Sequence, residues 1–175
     1  DRITAIAISV ENKPLPDRPG ISVKLSALHP RYEILSRSRV MAELVPLATD
    51  LARRAKAHNL NFTIDAEEAD RLELSLDVVA AVFADPSLDG WDGFGLAVQA
   101  YQKRSGRAID WLIALAEQNN RRMMIRLVKG AYWDSEIKYA QVNGLPGYPV
   151  FTRKNATDVA YLACARILLD GTRRV

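Results

Sequence analysis

Short apolar runs of β character alternate with longer stretches whose apolar residues recur every three to four positions. That alternation limits what the chain can fold into more than any single motif does. GISVKLSA (residues 20–27) is followed by residues 38–59, where Val40, Leu44, Leu47, Leu51 and Ala55 keep helical spacing. LNFTID (60–65) is followed by residues 70–84, with Leu72, Leu76, Val79 and Phe83 on one predicted face. Asp85-Pro86 and Gly90 stop that helix, because a residue preceding proline avoids helical backbone angles. A third strand over 94–100 precedes a helix over 109–118, and a fourth over 123–128 precedes a helix over 133–142. The Gly- and Pro-rich residues 143–152 read as a loop, and a last helix starts at Asn155 or Thr157 and ends near Leu169.

Strands separated by helices predict βαβ units and an α/β fold with a parallel sheet. Such a sheet is either open and doubly wound or closed into a barrel. A dinucleotide-binding open sheet needs a glycine-rich turn directly after its first strand, and GISVKLSALHP has none. Gly90, Gly93 and Gly95 precede a strand and do not open a helix, which is the wrong context for a phosphate loop. The expectation is therefore a (β/α)8 TIM-type barrel. Residues 1–19 form a lead-in, and 20–175 supply the first four βα units. Closed barrels of this kind typically take about 250 residues, which predicts completion by sequence outside these 175.

Composition excludes several function classes. With 49% apolar and 26% charged residues the chain is an ordinary globular one. The net charge of +3 comes from basic residues scattered along the sequence, with a small local excess at Arg173-Arg174, so no nucleic-acid surface is expected. The lone Cys164 rules out an internal disulfide and suits a reducing cytoplasm. No apolar run approaches the roughly 20 residues that cross a bilayer, which leaves peripheral membrane contact open.

In a parallel barrel the catalytic groups sit at the carboxyl ends of strands. Here the first strand ends at Lys24, with Ser26 and His29 beyond it, and the second ends at Asp65, ahead of Glu67 and Glu68. The third ends at Gln99, followed by Tyr101, Gln102 and Lys103, and the fourth carries Arg126 and ends at Lys129. Alone, Lys24 reads as a solvated edge residue and Asp65 as a turn cap. Gln99, between Val98 and Ala100, needs hydrogen-bond partners. Arg126, within Met-Ile-Arg-Leu-Val, must face something negative or something bound, since burying it unpaired costs several kcal/mol.

Several chemistries remain open on residue types alone. Lys24 or Lys129 would serve a Schiff-base aldolase without flavin. His29 and His58 lack metal-ligand spacing, no GxSxG or CxxC occurs, and Glu68, Asp70 and Glu73 decorate the start of a helix, so no metal is expected. A planar cofactor also fits, with Gln99 and Arg126 for ring heteroatoms, Lys129 and the KGA backbone for phosphate, and Tyr132-Trp133 for stacking. A non-catalytic half-barrel that dimerises through its sheet edges is a third reading.

The runs GISVKLSALHPRYE, IDAEEADRLE, GLAVQAYQKR, IRLVKGAYWDSEIK and GYPVFTRKNATDVAYLACA resemble the proline dehydrogenase domain of bacterial proline utilization A, from about Gly20 to Ala165. The resemblance implies a barrel that uses FAD to oxidise L-proline to Δ1-pyrroline-5-carboxylate and passes electrons to a quinone at the inner membrane face, with oligomerisation allowed. Carried over by motif, Lys24, Asp65 and Tyr132 would bind substrate, and Ala66, Gln99, Arg126, Lys129, Gly130, Ala131 and Trp133 would bind FAD. Asp65 and Arg126 would be catalytic. The family's Thr-His flavin contact and its arginine pair for the proline carboxylate do not occur in these residues, and Arg173-Arg174 lacks the pair's context.

Overall fold

The computed structural model describes Ala5 and residues 13–171. The lead-in assigned to residues 1–19 lies largely outside them, as do Arg173 and Arg174. Strands β1 (Gly20–Val23), β2 (Asn61–Ile64), β3 (Phe94–Gln99) and β4 (Met124–Val128) form one parallel sheet in the order β1-β2-β3-β4. Helix α1 (Arg37–Ala57) follows β1, α2 (Leu72–Phe83) follows β2, and α3 (Ser105–Gln118) follows β3. Helices α4 (Trp133–Val142) and α5 (Lys154–Asp170) follow β4. A doubly wound sheet reverses its strand order at a switch point, and this sheet does not, so the unbroken order is that of a (β/α) barrel wall.

Side-chain alternation along the strands separates two faces. Phe62 and Phe94 are register partners with ring centroids 6.3 Å apart, and Phe94 lies 6.0 Å from Phe83 of α2, so the even-numbered positions of β2 and β3 face the helices. Ile64, Leu96 and Val98 continue that face into the core. Thr63, Gly95, Ala97 and Gln99 fall on the other face. Gly95 has a steric reason of its own, since a Cβ there would lie 1.9 Å from the Met124 carbonyl oxygen of β4.

The helices meet the sheet on faces that differ in part from those predicted. On α1 the buried stripe is Val40, Leu44, Ala48, Thr49, Ala52 and Ala55, while Leu47 is 49% exposed and Leu51 half-buried. The alanines let the helix approach the sheet closely, and of the expected stripe Leu47 turns outward while Val40, Leu44 and Ala55 stay buried. On α2 the core takes Leu74, Val78, Val79, Val82 and Phe83, and Leu72 and Leu76 line a groove between α2 and α3 instead. Helix α3 begins a turn earlier than its apolar pattern, because Ser105, Gly106 and Arg107 are helical without being apolar. The third and fourth strands differ in burial. β3 is buried along its whole length, whereas no residue of β4 is fully buried, since among the described residues β4 pairs only with β3.

The loop from β2 to α2 is held from three directions. Glu67, itself buried, accepts from the Ser26 N–H at 3.0 Å and pairs with Arg71 at 3.1 Å. The Ala69 peptide is gripped at both ends, its N–H donating to Glu136 of α4 at 2.6 Å and its C=O accepting from Arg104 at 2.6 Å. Glu67, Glu68 and Glu73 each have an arginine partner.

Two stability outcomes are expected. Leu44→Ala empties a fully buried site and should cost about 2–5 kcal/mol, whereas Leu47→Ala should stay within about 0.5 kcal/mol of wild type, as read by denaturant melts. Burial raises the pKa of Glu136 above its ordinary 4.5, with Asp70 and Glu68 adding to the rise. The folded state thus holds this proton more tightly than the unfolded state, and stability falls as pH rises through the raised value. Glu136→Gln keeps an acceptor for Ala69 but cannot ionise. Its melting temperature relative to wild type should rise between acid below about pH 4.5 and neutrality.

Candidate active site

Strand register brings the expected residues to one level at the carboxyl ends. Val23 pairs with Ile64 and Ile64 with Leu96, so Lys24, Asp65 and Ala97 follow side by side, and Ala97 pairs with Arg126. The Asp65 N–H donates to the Val23 carbonyl at 2.8 Å, fixing the start of its loop against β1. Arg126 reaches across Ala97, whose methyl leaves room, and its Nη2 hydrogen-bonds Asp65 Oδ1. The sequence demanded a partner for Arg126, and this carboxylate is one. The guanidinium is nonetheless 53% exposed, so much of it faces open space and not Asp65.

That space is a cleft of about 320 Å³ lined by Lys24, Asp65, Ala66, Ala97, Gln99, Arg126, Val128 and residues 129–132. Its size is within the roughly 300–1,000 Å³ of small-molecule sites. A larger hollow of about 590 Å³ lies between α2 and α3, on the outer helical side and away from the strand ends.

Gln99 finds the partners that its apolar setting required. Its Nε2 donates to the Glu67 carbonyl at 2.8 Å and its Oε1 accepts the Ala131 N–H at 2.9 Å, so one amide braces the loops after β2 and β4. The Ala131 N–H is therefore engaged within the protein. Gly130 has φ +148°, and a Cβ there would lie 2.4 Å from the Tyr101 ring, which explains the glycine in KGAYW.

Lys24 is exposed, with Nζ 5.8 Å from the centre of the Tyr132 ring. Hydrogen bonding to Tyr132, with Glu67 and Asp65 nearby, holds its ammonium above the ordinary 10.5. Lys129 donates to Asp158 of α5 at 2.5 Å, and Lys154 donates to the other oxygen at 2.7 Å. This pairing raises the Lys129 pKa and lowers that of Asp158. Of the expected residues, Trp133 alone does not line the cleft, and its indole N–H donates to the Phe151 carbonyl at 2.9 Å.

Asp158 was not among the expected residues, and its one local signal is the i,i+4 spacing from Lys154. The strand-end rule places Tyr101 beyond β3 and assigns it no role. Its period-two spacing from Ala97 and Gln99 was the available clue.

A family model for proline dehydrogenase matches residues 1–175. The bifunctional protein PutA of Salmonella typhimurium is 55% identical over 167 residues, 95% of this chain and 13% of that protein. A mutant proline utilization A (PutA) from Bradyrhizobium japonicum superposes with a TM-score of 0.95 at 69% identity, covering 97% of this chain and 17% of that one. Proline utilization A from Bdellovibrio bacteriovorus, inactivated by N-propargylglycine, retains a TM-score of 0.90 at 27% identity, covering 98% of this chain and 19% of that one. This chain thus spans 13% of the length of its curated relative from Salmonella, and it supplies part of a TIM-type barrel. With full-length coverage by the family model and a fold shared down to 27% identity, the chain belongs to the proline dehydrogenase family.

Proposed function

We propose that this chain forms one half of a proline dehydrogenase barrel that oxidises L-proline to Δ1-pyrroline-5-carboxylate with FAD and delivers electrons to a quinone. The observation that carries the reading is the convergence of Lys24, Asp65, Arg126, Lys129 and Tyr132 on one cleft at the strand ends. Three cations, Lys24, Arg126 and Lys129, against one cleft-lining carboxylate, Asp65, suit an anionic cofactor and a substrate with its own carboxylate, and this donor set fits FAD. Bound flavin would supply the acceptor for the hydride that proline loses.

The chain's own residues divide into two groups. Lys24 and Tyr132 touch each other at the β1 side, and Lys24, kept protonated, would bind the substrate carboxylate. Arg126 would stabilise negative charge on a ring held against β4, and Asp65 would fix the guanidinium from behind. Lys129, next along the chain, would meet phosphate, with Ala66 and the 129–131 backbone shaping the wall. Trp133 would contribute from outside the cleft wall, at the start of α4.

The aldolase alternative loses support from the same electrostatics. A Schiff-base lysine needs a depressed pKa so that its free amine can attack a carbonyl, and both Lys24 and Lys129 are shifted upward. No helix among the described residues is long and apolar enough to cross a membrane; in this reading quinone would be met by peripheral membrane contact.

Anaerobic addition of L-proline to the full-length protein should bleach its flavin absorbance and yield the cyclic imine. Flavin that stays oxidised would overturn the reading. Lys24→Ala in that protein should raise the proline KM while FAD stays bound, and colourless protein would move Lys24 to the flavin site. Arg126→Met should shift the flavin potential negative, by on the order of 30 mV for each 1.4 kcal/mol of lost differential stabilisation, and slow reduction in a single turnover. The exposed pair with Asp65 contributes little to stability, so the melting temperature should change little.

A further inference from the structure

Three features of the loop after β4 meet at one side chain. Tyr101, the second residue past β3, is 2% exposed. Its N–H donates to the Lys129 carbonyl at 2.7 Å, its ring fills the space where a side chain at 130 would stand, and its hydroxyl accepts the Tyr132 N–H at 3.3 Å. The chain from Lys129 to Tyr132 is thus bent around Tyr101, with the intervening Ala131 N–H tied to Gln99.

Tyr132 itself is the N-cap of α4 and has no side-chain capping bond. Its carbonyl accepts from the Glu136 N–H at 2.9 Å and from the Ser135 hydroxyl at 2.9 Å. With the Tyr101 hydroxyl on its N–H, both ends of the Tyr132 backbone are fixed, so the ring is aimed at Lys24 by its side-chain torsions alone. Phenylalanine at 101 would fill the same volume under Gly130 but leave the Tyr132 N–H without its partner in a half-buried place.

We propose that Tyr101 is a positioning residue for the substrate end of the cleft, acting through the hydrogen bond from its hydroxyl to the Tyr132 backbone and so setting Tyr132 against Lys24. Tyr101 is not among the residues that line the cleft. The Tyr101 ring holds Gly130 and Lys129 whether or not the hydroxyl is present, so removing the hydroxyl separates the two ends of the cleft. The inference rests on the reading of this cleft as a proline site.

The test is Tyr101→Phe in the full-length, FAD-loaded protein. Proline KM should rise about five- to tenfold, equivalent to roughly 1–1.4 kcal/mol, while kcat and FAD content stay within about twofold. Deuterium uptake in the peptide containing residues 129–133 should accelerate. Unchanged KM with unchanged uptake overturns the proposal. So does a fall in kcat or FAD content at constant KM, which would assign the hydroxyl to the cofactor end. Failure of Tyr101→Phe to fold also overturns it, since the hydroxyl would then support the whole barrel. If wild type does not oxidise proline, the functional reading fails, and deuterium uptake still decides whether Tyr101 holds Tyr132.

Discussion

The candidate site depends on β3 lying in register between β2 and β4. Parallel ladders fix which side chains share a level, and here the register puts Asp65, Ala97 and Arg126 side by side. The middle position is a methyl, so the carboxylate and the guanidinium meet above it. A bulkier residue at 97 would stand between them. Gly95, two residues earlier on the same face, serves the same register, because any side chain there would push β4 away. The small residues of β3 therefore do as much for the site as its charged neighbours.

Cavity size alone would have pointed elsewhere. The hollow between α2 and α3 is larger than the cleft, yet Arg37 and Arg104 on its walls are paired with Asp77 and Glu73. At the strand ends, by contrast, each loop after a strand contributes a polar group, and those loops brace one another through Gln99, Glu67 and the Ala69 peptide. A site there is held by the sheet itself.

The strand-and-helix order was legible because each element announces its own period. Helix faces were less so. A helix offers several overlapping apolar stripes, and sequence cannot say that α1 would turn Ala48 and Ala52 inward and Leu47 outward. The strand-end rule found Lys24, Asp65, Gln99, Arg126 and Lys129 because it needs only the strand boundaries. It could not find Asp158, whose meeting with Lys129 spans 29 positions and depends on where α5 lands. Nor could it show that Gln99 braces two loops, since an amide in an apolar strand states a need for partners without naming them.

The two lysine-bearing ends of the cleft are aimed by different physics. Lys129 is directed by an ion pair with Asp158 in which both side chains are well exposed, at 53% and 38%. Such pairs are screened by salt over a Debye length of about 8 Å at physiological ionic strength, so the direction of that ammonium loosens as the medium becomes more saline. The Tyr132 end is set by a buried ring and backbone hydrogen bonds, which mobile ions scarcely reach. One part of the cleft thus has an orientation that varies with its ionic surroundings, while the part around Tyr132 keeps its shape.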